Sequence, residues 1–277
     1  MTSAEEALKK LPPFKPVTVK LLKLTGTGEI EPRKIAELIE VDPALTAEVL
    51  AVANSPLFSR GAEIRDVTHA LVFLGFDRVK AIISIVAMRA LARRGRKTIA
   101  LRSCWLHSVA TALIAARMAP AYGHHPDQAY TAGLLHDIGR FGLFGAFPEK
   151  YPAALLERYE TKREILEGEE LVVGLNHCQA GLILAREWRL PQDYTSVVAH
   201  HLDPTEIGSS QEVGMTSLIH LACLVSDALR FEAVRYWRVL HLGELRTSLP
   251  EQLRARFPVR TEDLEEYVID HISALDE

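Results

Sequence analysis

The chain has 277 residues, 48% of them apolar and 25% charged, with a formal net charge of −4 at pH 7. This length suits one large or two small hydrophobic cores, and the balance is that of a folded globular protein rather than a disordered or fibrous one. Acidic and basic residues are interspersed, so no field gathers nucleic acid or acidic lipid over the whole molecule, and three cysteines without CxxC spacing argue against a disulfide framework or a thiolate zinc knot.

Residues 1–10 offer neither an apolar h-region nor a cleavage site, and no apolar run approaches the roughly 20 residues that cross a bilayer, which predicts a cytoplasmic protein without membrane contact. Asp42-Pro43 reads as an N-cap followed by proline at the first helical position. Leu45, Val49, Leu50 and Ala53 then form a stripe that Asn54-Ser55-Pro56 ends. Asp66 caps a helix carrying Ala70, Leu71 and Leu74, Gly75 closes it, and an apolar helix over 79–91 follows at once. The basic run of Arg93, Arg94, Arg96, Lys97 and Arg102 has no interleaved aromatic residue for base stacking, so it reads as a solvated helix end and loop, not a nucleic-acid patch. The boundary between two helical lobes is expected between about 95 and 102, which divides the chain into 1–98 and 99–277.

In the second lobe Trp105, Val109, Leu113 and Ala116 make one helical face, and the segment 129–144 is apolar apart from His136, Asp137 and Arg140. Further helices are predicted over 153–160, 174–188, 193–201 and 216–231, with a last one starting at Thr261. Strand-like alternation is nearly absent, so the expected fold class is all-α, a two-lobed multi-helical bundle. Cys104, Cys178 and Cys223 are flanked by apolar residues and read as buried thiols.

His107, His136, Asp137, His177, His200, His201 and Asp227 all fall in this second half, on several predicted helices. Imidazole and carboxylate together suit a divalent transition metal, namely iron, manganese, zinc or nickel. An adjacent His-Asp pair, whose members differ by about 100° in direction on a helix, can reach two sides of one ion or bridge two, so the centre is mononuclear or binuclear. Any one histidine is more simply a core or surface imidazole. The exception is the pair inside Gly133-Leu134-Leu135-His136-Asp137-Ile138-Gly139, where two ionisable groups interrupt an apolar helix and are costly to bury without a partner.

The order His107, His136-Asp137, His177, His200-His201 resembles the HD superfamily of metal-dependent phosphohydrolases. In the first half Leu11-Pro12-Pro13, Asp42-Pro43-Ala44-Leu45, Ala53-Asn54-Ser55 and Ala70-Leu71-Val72-Phe73-Leu74-Gly75 resemble more narrowly the HDOD domains of bacterial signalling proteins. That resemblance implies an HD-like second lobe and a regulatory module with a signalling protein partner. It equally allows a phosphohydrolase acting on a small nucleotide or phosphoester, with Asp137 and Arg140 at the reacting centre. The HD-GYP relatives carry a Gly-Tyr-Pro segment after their paired histidines, whereas His200-His201 here runs into Leu202-Asp203-Pro204-Thr205. Their lysine after His-Asp-Ile-Gly is Arg140, which presents its charge as a rigid fork. The family's last aspartate follows an alanine in a segment like His220-Leu221-Ala222, and Cys223 stands in its place. Asp227, one turn later, substitutes for it or the set stays incomplete.

Overall fold

The structure is a computed structural model and describes residues 3–11, 18, 20–21, 32–41, 43–55, 58, 63–92, 98–202, 213–238, 241–249, 251–257 and 261–276. Asp42, the basic residues 93–97, the loop at 208–210 and Pro12-Pro13 lie outside these residues.

The fold is all-α. Helices α1 (Ser3–Lys9), α2 (Pro32–Glu40), α3 (Pro43–Ala53), α4 (Val67–Leu74) and α5 (Phe76–Ala92) precede the second half. The predicted punctuation of this region is realised in atoms. Asp66 accepts the His69 amide as N-cap, and Gly75, with φ of 85°, returns its own N–H to Leu71. Asn54 clamps the loop between α3 and α4, because its side chain donates to the Leu50 and Ile64 carbonyls and accepts the Ile64 amide.

The second half comprises α6 (Ile99–Met118), α7 (Pro126–Leu135), α8 (Ile138–Ala146), the single turn α9 (Tyr151–Ala154), α10 (Lys162–Val173), α11 (His177–Glu187), α12 (Gln192–His200), α13 (Met215–Ala228), α14 (Leu242–Ser248), the short α15 (Glu251–Arg254) and α16 (Thr261–Asp276). Helix α6 is its axis, packed by α7 on one side and α13 on the other, while α8 lies along α11. By length and apolar content α6 would suit a bilayer, but the apolarity is spent on packing: from Cys104 to Ala115 only Trp105 and Leu106 are not buried. Each large aliphatic side chain so buried contributes about 1.5–3 kcal/mol. Buried apolar residues form one continuous cluster from Ala4 to Ile272 across both halves, with α5 packed on α7 and α1 on α8 and α11.

Several elements differ from expectation. The helix predicted over 153–160 ends after one turn, because residues 158–159 form a short parallel ladder, β1 (Arg158–Tyr159) on β2 (Arg235–Tyr236), and the Tyr159 hydroxyl donates to the Ala154 carbonyl. Thr161 then caps α10, a helix absent from the sequence-based expectations. Gly174, placed inside the predicted helix over 174–188, instead closes α10 with φ of 84°, and α11 starts afresh from a capping box of Asn176 and Gln179.

Candidate metal centre

His136 and Asp137 do not interrupt a continuous helix; they are the two-residue joint between α7 and α8, with Asp137 at φ −99° and ψ 19°. A glycine flanks each side of the joint, and each marks a close backbone crossing. A Cβ on Gly133 would stand 2.7 Å from Cα of Ala112, so α7 lies directly on α6, the helix of His107. A Cβ on Gly139 would overlap the His177 carbonyl, so α8 meets the first turn of α11 backbone to backbone. Gly181 repeats the device one turn on, where a Cβ would strike Val198 of α12, the helix that leads into His201. Three glycines thus bring four histidines from four helix ends or faces around one aspartate.

The imidazoles are turned by the oxygens behind them. His107 Nδ1 donates to the Phe231 carbonyl at 2.7 Å, His136 Nδ1 to Gly133 at 2.5 Å and His201 Nδ1 to Val198 at 3.2 Å, while His177 Nδ1 meets the Glu169 carboxylate at 2.6 Å. An imidazole whose Nδ1 is held by an acceptor presents Nε2 inward, the usual posture of a metal-bound histidine. The Nε2 atoms of His177 and His201 each lie 3.5 Å from Asp137 Oδ1, and that of His136 lies 3.6 Å from Asp137 Oδ2. His136 Nε2 and Asp137 Oδ1 are buried without any hydrogen-bond partner. Unpartnered buried acceptors of this kind are costly, and a cation would satisfy both.

Charges at the site are heavily biased by burial. Burial holds His136 neutral, well below its usual range, against the pull of Asp137. Burial also works against ionisation of Asp137, but its partners, led by the Arg140 guanidinium, outweigh it, so the carboxyl sits well below the usual carboxylate range. Glu169 is lowered to about 2: burial opposes, and His177 followed by Arg140 prevail. His177 is raised to about 10 by Glu169, against burial and Arg140. Arg140 is itself 3% exposed and wholly engaged, with Nε 2.9 Å from Asp137 Oδ2, Nη1 2.6 Å from Glu169 Oε1, and Nη2 3.4 Å from His177 Nε2. Tyr151 donates to the same Glu169 oxygen at 2.8 Å.

Of the residues singled out in the sequence, His107, His136, Asp137, His177 and His201 converge, and Arg140 lies among them with its charge directed at carboxylates. His200 is exposed on the outer side of α12, outside the cluster. Adjacent residues near a helix end diverge by about 100°, so seating His201 turns His200 outward. Asp227 sits at the rim, held by Lys162 at 3.4 Å and lying 3.6 Å from His107 on the Nδ1 side, away from Nε2. Cys223, read from sequence as a packed thiol, comes within 4.8 Å of a ring nitrogen of His107 and one of His136. We expect His200→Ala to leave the metal content of the purified protein unchanged and His201→Ala to lower it, as elemental analysis of the two proteins would read directly.

Sequence reasoning missed Glu169 and Lys162. Glu169 was findable, since it falls on the stripe Ile165, Glu169, Val173 that α10 buries, and a carboxylate on a buried stripe demands a partner. Over the cluster lies a cavity of about 10 Å³, room for one water-sized or ion-sized body, bounded by His107, Asp137, Arg140, His201, Cys223 and Asp227 among others. Beside it a cleft of about 150 Å³ shares Lys162, Asp227 and Tyr236 with the cavity and adds Glu160, Leu224, Arg238 and Leu245.

Helix order, the His-Asp joint and the ring of histidines around it define an HD-like helical domain. The HDOD domain model matches residues 11–204, and the chain belongs to the HDOD family. Solved structures share the fold. An HDOD domain protein of unknown function from Geobacter sulfurreducens superposes with a TM-score of 0.74 at 22% identity, covering 99% of this chain and 95% of its own. Two proteins from Shewanella amazonensis SB2B follow. One, described as a candidate phosphohydrolase, has a TM-score of 0.67 at 18% identity and coverage of 99% and 96%. The other, described as a candidate metal-dependent phosphohydrolase, has a TM-score of 0.59 at 21% identity and coverage of 96% and 98%. No curated protein matches the chain.

Proposed function

We propose that this chain is a regulatory signalling module in which a buried divalent transition metal, held by the His/Asp cluster, fixes the packing of α6, α7, α11 and α12 and so the surface offered to a signalling protein partner. His107, His136, Asp137 and His201 would hold the ion, with His177 and Glu169 behind Asp137. The metal would supply a concentrated positive charge to the two buried acceptors that lack one. The observation that carries the reading is the closeness of the site. The cavity over the ligands is ion-sized, and both cations that line it are engaged, Arg140 with Asp137 and Glu169, Lys162 with Asp227. A site built for turnover needs space for a phosphoester and a cation turned toward its oxygens. Coupling of this kind requires only that the ion bind one helix arrangement better than another.

A second reading, metal-dependent hydrolysis of a nucleotide or other phosphoester, draws support from the adjoining cleft of about 150 Å³, whose wall carries Lys162 and Arg238. In it Asp137 and Arg140 would stand at the ion while the substrate's phosphoryl oxygens faced the cleft cations. One experiment separates the two. Protein purified without chelator should carry near-stoichiometric iron, manganese, zinc or nickel, lost in the His136→Ala, Asp137→Ala variant. The loaded protein should leave bis(4-nitrophenyl) phosphate and a panel of cyclic and linear nucleotides unhydrolysed. Metal-dependent release of nitrophenol or nucleoside product, abolished in the same variant, would replace the first reading by the second.

A further inference from the structure

A ring nitrogen of His107 and one of His136 gather close to a sulfur. Cys223, on α13, which packs against α6, has its side chain buried, and its Sγ, one ring nitrogen of His107 and one of His136 lie within 4.8 Å of one another. His136 Nε2 has no hydrogen-bond partner and is fully buried, so the group is aimed at something that can accept its lone pair. The carboxylate that might have served instead does not reach. Asp227 meets His107 on the Nδ1 face, behind the ring, and its other oxygen is taken by Lys162. The opposite flank of the cluster already holds a cation of the chain's own. Arg140 inserts Nε and Nη2 between Asp137 Oδ2 and His177 Nε2, at 2.9 and 3.4 Å.

We propose that the Cys223 thiolate is a further ligand of the metal, added to His107, His136, Asp137 and His201, and that Arg140 takes the position a second ion would need. The inference rests on the metal centre proposed above and specifies its donors. As the sulfur–metal bond forms, the thiol S–H bond breaks and its proton leaves to solvent, so one proton is released for the one thiolate formed. A centre of three imidazoles, one carboxylate and one thiolate is of borderline softness. It favours zinc or cobalt over manganese or magnesium, which oxygen-rich sites prefer. Cys178 forms a rival group with His177 and His201, but His177 Nδ1 is held by Glu169 at 2.6 Å and its Nε2 lies 3.4 Å from the Arg140 guanidinium, a flank already filled by positive charge.

The test uses the full chain stripped of metal and titrated with cobalt(II). The expected result is a thiolate-to-cobalt charge-transfer band in the near ultraviolet that saturates at one equivalent. The band disappears in Cys223→Ser and in Cys223→Asp and persists in Cys104→Ser and Cys178→Ser. Zinc retention against a chelator falls at least about 10-fold in Cys223→Ser, the lower end of what losing even an outer partner of a metal costs. Cys223→Asp still binds cobalt, which shows that the fold survives the change, and its preference for zinc over manganese narrows. Cobalt bound without the band, or a band that survives Cys223→Ser, would overturn the sulfur ligand while leaving the metal centre standing. Saturation at two equivalents would overturn the role given to Arg140. A wild-type protein that binds no cobalt would overturn the centre itself, and this inference with it.

Discussion

Gly139→Ala is expected to destabilise the protein by at least about 3 kcal/mol, a fall in melting temperature of about 6 to 12 °C, and to strip the centre of metal at the same time. The added methyl would overlap the His177 carbonyl and stand 2.6 Å from the Gly181 amide nitrogen, both backbone atoms that no rotamer change can move aside. Helices α8 and α11 must separate, and that separation carries His177 away from Asp137. Gly243→Ala is the control: Gly243 lies in α14, a Cβ there meets nothing within 4 Å, and alanine is the better helix former. Thermal melts and metal analysis of both variants decide the matter; an alanine at 139 that melts like wild type would mean the crossing is looser than described.

Arg140→Met should cost about 3–5 kcal/mol at neutral pH, because it leaves Asp137 and Glu169 buried without their shared counter-ion. The chain of dependence is short: Arg140 bridges the two carboxylates, Tyr151 and His177 complete the shell around Glu169, and all of these groups are buried. The pH dependence has a definite sign. Glu169 is lowered to about 2 in the folded protein, below its unfolded value, so the stability it lends is present above about pH 4.5 and lost as pH falls toward 2. Without the guanidinium that lowering shrinks, and the gap between wild type and Arg140→Met narrows over the same interval. Urea denaturation of the two proteins at pH 7, 4 and 3 would reveal it. A gap that stays constant with pH would mean the loss comes from packing rather than charge.

The helical character of the chain was legible because its caps are local. Asp66, Gly75 and the Leu45, Val49 stripe act within a turn of where they stand, so reading them needs no knowledge of the rest. The His-Asp pair was legible for a different reason, since two ionisable residues in an apolar segment raise a question of partners that must be answered somewhere. What escaped was set by distance along the chain. The short ladder of residues 158–159 with 235–236 cuts off a helix that local propensity favours. Glu169 is tied to Arg140, 29 positions away, and Lys162 to Asp227, so neither pair could be drawn from sequence without the fold. His200 and His201 look equivalent as letters, and only the direction of α12 against Gly181 decides which is inside. Cys223 was dismissed as packing because a thiol among apolar neighbours reads that way; the nitrogens that face it come from α6 and from the joint before α8.

The carbonyl of Phe231 that orients His107 comes 124 positions later in the chain, and Cys223 and Asp227 also lie past residue 204, where the match to the HDOD domain model ends. A fragment trimmed to that limit would keep His136, Asp137, His177 and His201 yet leave the imidazole of His107 without the brace that aims it. The stretch that the family model matches and the stretch that braces His107 are therefore different, and during synthesis the cluster around Asp137 gains that brace only after α13 and the turn beyond it have emerged.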